Sequence, residues 1–259
     1  MHPESEKPLW TFGDVVIVTF AFVAFLFLFS IMTTLIAISL PQFRGATAQQ
    51  VSENLTVALL AQVFSYLALL WIIGIVVKRR AEHVNRYISV AAALRWNPPL
   101  HRVLFVVIGI GLAAVVQFAG HFLPIPPSLP IDQAFSTTSS AYVMSFFGVL
   151  IAPLIEEIYF RGLFYPAVAR LLRGAGHKVD VVFSIAFTAA FFAGIHAPQV
   201  DFAWAPLLVI FFVDVVLTLV RAQTRSVAAS WLVHVGYNAT LMLLVYVETS
   251  GFRRLDMMR

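Results

Sequence analysis

Seven long apolar runs decide what this chain can fold into. They cover roughly residues 10–40, 55–78, 102–124, 141–169, 179–196, 204–221 and 226–248, the fifth and sixth being the shortest. A helix needs about 20 apolar residues to cross the hydrocarbon core of a bilayer. Lipid cannot hydrogen-bond an open backbone, so such runs must satisfy their N–H and C=O groups within helices. The sequence therefore predicts an all-α membrane protein, a multi-pass transmembrane helical bundle of about seven spans, with eight as the alternative. Composition agrees. The chain is 60% hydrophobic and 12% charged, where soluble domains average about 45–50% and about 25%. Residues 1–259 read as a single integral membrane domain, in the cell membrane if the source is prokaryotic. The first run lacks a small-x-small cleavage site and reads as a retained helix. With no cysteine in the sequence, disulfides, a thiol nucleophile and thiolate metal sites are excluded.

Charge is placed unevenly between the runs. The second connection holds Lys78, Arg79, Arg80, Arg86 and Arg95, the fourth Arg170, Arg173 and Lys178, and the sixth Arg221 and Arg225. The alternate connections carry little positive charge. The positive-inside rule puts the even connections and the N-terminus in the cytoplasm. Seven crossings then leave Arg253, Arg254 and Arg259 of the tail on the outer side, against that rule. The net charge of +4 bears on topology and gives no reason to expect nucleic acid as a partner; the partners it implies are the lipid bilayer and whatever the polar groups within the spans recognise.

A charged side chain deep in a bilayer costs at least about 2.5–3.5 kcal/mol on insertion scales, so each one asks for a reason. The candidates are Glu156, Glu157, Arg161, His196, Asp214, His234 and Asn238. Glu157 and Arg161 are four residues apart with the acid first, the favourable order for an ion pair on a helix. Glu156 points about 100° away from Glu157. It is thus left unpaired on its own helix and is a candidate general base. A structural salt bridge with a spare acid facing a crevice reads the same stretch equally well. His196 ends the fifth run, where an interfacial histidine is ordinary. His234 and Asn238 share one face of the seventh helix, as interhelical hydrogen-bonding groups also would, and Gly236 on the neighbouring face permits close approach of another helix. Taken together, one free carboxylate, two imidazoles and a carboxamide make a complete set for hydrolysis. Glu156 and His196 can hold and deprotonate water, and His234 and Asn238 can donate to a developing oxyanion. Counted along its run, His196 lies at the outer end of its helix while Glu156 and His234 lie nearer mid-span. Convergence then needs a late start to the fifth helix or an inward dip of "HAPQVDF".

Three motifs occur in order: E-E-x-x-x-R from Glu156 to Arg161, F-x-x-x-H from Phe192 to His196, and H-x-x-x-N from His234 to Asn238, the last preceded by "TRSVAASWLVH". In this the chain resembles the CAAX protease and bacteriocin-processing (CPBP, or Abi) family of intramembrane proteases, over about residues 141–245. The resemblance implies a helical membrane endopeptidase acting on a membrane-associated peptide or a lipidated, CAAX-type protein. It implies Glu156 and His196 as the water-activating pair, His234 and Asn238 as the oxyanion site, and Glu157 and Arg161 in support. No cofactor is required by that scheme. Zinc is the alternative, held if present by Glu156, His196 and His234, although the tighter H-E-x-x-H ligand set is absent. Prenyl-protein members have eight spans against the seven counted here, which leaves the substrate class open. Asp214 has no place in the motifs and is left outside the site. Two other readings compete: a non-catalytic scaffold or immunity protein of the same fold, with the polar groups as interhelical glue, and a proton-coupled transporter, which the lack of an inverted repeat disfavours.

Overall fold

The computed structural model describes residues 8–172 and 177–255. Arg173, Asp256 and Arg259, named above for their charge, lie outside the described residues, as does the side chain of Lys178. The fold is all-α, 80% helical with no strand among the described residues. Seven helices are long and apolar enough to cross a membrane, which makes this an integral, multi-pass membrane protein. They are α1 (Phe12–Ile38), α2 (Leu55–His83), α3 (Arg102–Gly120), α4 (Thr138–Leu171), α5 (His177–His196), α6 (Trp204–Thr224) and α7 (Val227–Glu248). Each falls on one of the seven apolar runs. The chain divides into two compact units, Leu9–Val90 and one containing Ala91–Arg259.

In the first unit, α1 and α2 pack as an antiparallel pair. Thr11 caps α1, its hydroxyl accepting from the Asp14 N–H at 3.3 Å while Asp14 Oδ2 accepts from the Thr11 N–H at 2.7 Å. This reciprocal arrangement satisfies N–H groups that a helix start leaves open. Asp14 also receives Arg80 in a two-pronged contact, Nε at 2.9 Å and Nη2 at 2.8 Å. α2 therefore runs on through its basic cluster to His83, five residues past the end of the apolar run. Hydropathy marks where lipid stops, not where helical hydrogen bonding stops.

In the second unit, α3 and α7 meet main chain to main chain. A Cβ added at Gly109 would lie 2.1 Å from Val233 O, and one added at Gly236 would lie 2.5 Å from Val106 O. Small residues at helix crossings allow this approach where hydrophobic driving force is absent, as the position of Gly236 led one to expect. Around the seam, Ala113, Val213, Leu217, Val233 and Tyr237 form a buried apolar cluster shared by α3, α6 and α7. One end of α7 is pinned by its N–H at Val227, which donates to Arg95 O at 3.0 Å, and by Ser226 Oγ donating to Asn97 O. At the other end the tail folds back beside the start of α4, where Thr138 Oγ1 donates to Phe252 O at 2.7 Å and the Tyr142 and Phe252 rings stand 5.1 Å apart. Arg253 and Arg254 thus sit at the end of α7 opposite Arg95 and Arg225. The charge exception in the tail is not the product of a missed span.

Candidate active site

α4 is the helix on which the site is built, and it is not a regular α-helix. Two π-helical segments, Phe147–Ile151 and Glu157–Phe164, flank the single α-helical turn Ala152–Glu156. Such segments close i→i+5 bonds and recur at functional sites. Each is followed by a proline at its second position, Pro153 and Pro166, which cannot supply the next helical N–H.

Glu156 projects toward α5 and α7. Its Oε1 lies 3.8 Å from His196 Nε2 and its Oε2 lies 3.8 Å from His234 Nε2. The three side chains meet although their positions along their helices differ. The late start proposed for the fifth helix is not the reason, since α5 begins at His177, two residues before the apolar run. The segment that follows His196, Ala197–Val200, is a short 3-10 turn with Ala197 and Val200 buried, which fits the other alternative, the inward dip of "HAPQVDF".

The outer ring nitrogens of both histidines are committed. His196 Nδ1 donates to Phe192 O at 2.8 Å, and a carbonyl only accepts, so this nitrogen carries the proton. His234 Nδ1 lies 3.0 Å from Glu157 Oε1. Both Nε2 atoms are thereby turned to Glu156, with ring orientation fixed from behind. Phe192 is the spacer: its ring stands 4.4 Å from the His196 ring and 6.4 Å from the His234 ring.

Glu157 has the opposite surroundings. It is fully buried, accepting from Ser230 Oγ at 2.6 Å on Oε2, with Arg161 Nη1 3.3 Å from Oε1. The expected Glu157–Arg161 pair is present, but Arg161 is shared. Its Nη2 also donates to Asp214 Oδ1 on α6, and Thr218 donates to the other oxygen of Asp214 at 3.2 Å. Asp214 thus bonds the motif-bearing helix from behind and does not face Glu156. Arg161 is also stacked over Phe192, its Cζ 5.2 Å from the ring centre. Breaking such a buried ion cluster by removing one member typically costs about 3–5 kcal/mol.

Asn238, one turn beyond His234 on α7, donates from Nδ2 to Gly148 O in the first π segment at 2.7 Å. In the second, Arg221 Nε donates to Arg161 O at 3.1 Å. Ser230 and Thr218 were not read from the sequence, and Arg221, counted there as a charge of the sixth connection, is instead a buried residue of α6. Spacing held the signal: Ser230 precedes His234 by one turn, and Asp214, Thr218 and Arg221 follow an i, i+4, i+7 stripe through an otherwise apolar span. The carboxylate and imidazoles are of the types that bind zinc, but among the described residues no group of three His, Cys, Asp or Glu side chains is arranged to hold a metal ion.

Comparison with known proteins gives one family. The family model for the type II CAAX prenyl endopeptidase Rce1-like proteins matches residues 138–240, from the first residue of α4 to two past Asn238. No curated protein and no solved structure matches the chain significantly.

Proposed function

Since residues 138–240 match a CAAX-type endopeptidase family over the span that carries all three motifs, we propose that the chain is an intramembrane endopeptidase of the CPBP kind that hydrolyses a peptide bond of a membrane-associated or prenylated substrate with water activated by Glu156 and His196. The observation that carries this reading is the spacing around Glu156. At 3.8 Å from each imidazole nitrogen it is too far for a direct hydrogen bond and near enough for one water to bond both partners.

In this reading Glu156 takes a proton from the water as its oxygen attacks the substrate carbonyl carbon. The C–N bond then breaks, and Glu156 returns the proton to the departing amine. His234 and Asn238 donate to the oxyanion that forms between these steps. Preorganised donors of this kind are typically worth about 10²–10³ in rate each. With His234 Nδ1 already donated to Glu157, its Nε2 can donate only if the ring carries both protons.

The competing versions separate on cheap measurements. Zinc held by Glu156, His196 and His234 would supply a polarised water in place of the general base. Elemental measurement of the purified protein, with cleavage assayed before and after chelation, decides between the two. A scaffold with polar glue would show no cleavage at all. The direct test is cleavage of a farnesylated CAAX-type peptide and of a membrane peptide pool in proteoliposomes. The reading expects turnover that Glu156→Gln and His196→Ala both cut by at least about 10², and unchanged turnover in either variant overturns it.

A further inference from the structure

α4 repeats one hydrogen-bonding arrangement twice. At the end of the first π segment the Ala152 N–H reaches back to Phe147 O, and at the end of the second the Tyr165 N–H reaches back to Phe160 O. In that register the next donor would serve Gly148 O in the first case and Arg161 O in the second. The residues at those places are Pro153 and Pro166, which have no N–H. Each carbonyl is taken instead by a side chain from a later span, Gly148 O by Asn238 at 2.7 Å and Arg161 O by Arg221 at 3.1 Å. At membrane depth a main-chain carbonyl left open is costly, so a proline in α4 recruits a donor from across the bundle.

We propose that Pro153 is a positioning residue for the reaction: by leaving Gly148 O open, it obliges Asn238 to anchor its amide there and fixes which end of that amide meets the substrate. This rests on the reading of Asn238 as an oxyanion donor. The amide torsion of asparagine is broad and roughly two-fold, so an unanchored Asn238 would present its oxygen to the oxyanion about as readily as its nitrogen. Gly148 O can only accept. It therefore selects Nδ2, and the second N–H of the same nitrogen remains for the substrate. An N–H at position 153 would complete the i→i+5 bond and release the anchor.

The test compares three proteins in proteoliposomes: wild type, Pro153→Ala, and a chain with lactic acid at 153, which lacks the ring and also lacks the N–H. Pro153→Ala is expected to lose roughly tenfold in kcat, less than the about 10²–10³ of a deleted oxyanion donor, with KM and melting temperature held. The lactic acid chain is expected to keep wild-type kcat, because the missing N–H matters and the ring does not. A ¹³C=¹⁸O label at Gly148 gives a readout independent of turnover: its infrared band should move on Asn238→Ala in the wild-type background and stay fixed on the same change in Pro153→Ala. Wild-type kcat in Pro153→Ala, equal losses in the alanine and lactic acid chains, or a band indifferent to Asn238→Ala would each overturn the proposal. Full activity of Asn238→Ala sinks the oxyanion reading itself, whereas an inactive Asn238→Ala beside a fully active Pro153→Ala sinks only the role of Pro153.

Discussion

Glu156 faces two imidazoles across 3.8 Å with 20% of its side chain exposed, whereas Glu157, its neighbour in the chain, is fully buried and bonded at 2.6 and 3.0 Å. Around Glu157 lie Ser230, Arg161 and Asp214, all closed to solvent, with short contacts that leave no room for another molecule. Around Glu156 the contacts are long and a fifth of its side chain is exposed. One acid is thus part of a wall, and the other keeps the slack that a bridging water would need. A polar cluster in a bilayer is stable only when its members satisfy one another, so the tight half carries the structural work and leaves the loose half free for chemistry.

That contrast can be broken from either side. The largest expected effect is on the open side: Glu156→Gln should cut turnover by about 10²–10⁴, the range for a general base, while the melting temperature in detergent stays at the wild-type value. A large drop in melting temperature would place Glu156 in the wall instead. On the closed side, Arg161→Met strands two carboxylates, Glu157 and Asp214, and should destabilise by about 3–5 kcal/mol, read as lost monodisperse protein on size exclusion and an early melt. Gly236→Ala forces a Cβ to within 2.5 Å of a main-chain oxygen that cannot rotate away. The strain of overpacking, about 1–3 kcal/mol, should appear in the same melt. Ser230→Ala is the smallest change. It removes one hydrogen bond to a charged group, about 1.5 kcal/mol, and should lower kcat several-fold with KM unchanged because His234 is less firmly held; rescue by Ser230→Thr sharpens the assignment, and wild-type kcat in Ser230→Ala removes Ser230 from it.

The spans were legible because hydropathy over some twenty residues is a strong signal, and Glu156, His196 and His234 were legible because charged and polar groups in apolar runs are few. What surrounds them was harder to see. Asp214 was noticed and left aside, since a lone acid on α6 has no meaning until Arg161 is known to face it. Ser230 is a common residue whose importance comes only from the carboxylate opposite. The π segments left no trace in hydropathy. Their mark was the pair Pro153 and Pro166 inside a run otherwise read as uninterrupted helix. How His196 reaches the mid-span groups was left between two alternatives, because the burial of Ala197 and Val200 beyond it leaves no mark in hydropathy.

The seam at Gly109 and Gly236 limits how the protein can open. Two helices in main-chain contact have no layer of side chains to glide on, so their registry shifts in whole turns or not at all. α7 carries two of the candidate groups and is fastened in this way to α3, so His234 and Asn238 have a fixed rail behind them, and slack in the fold has to lie in elements outside that seam.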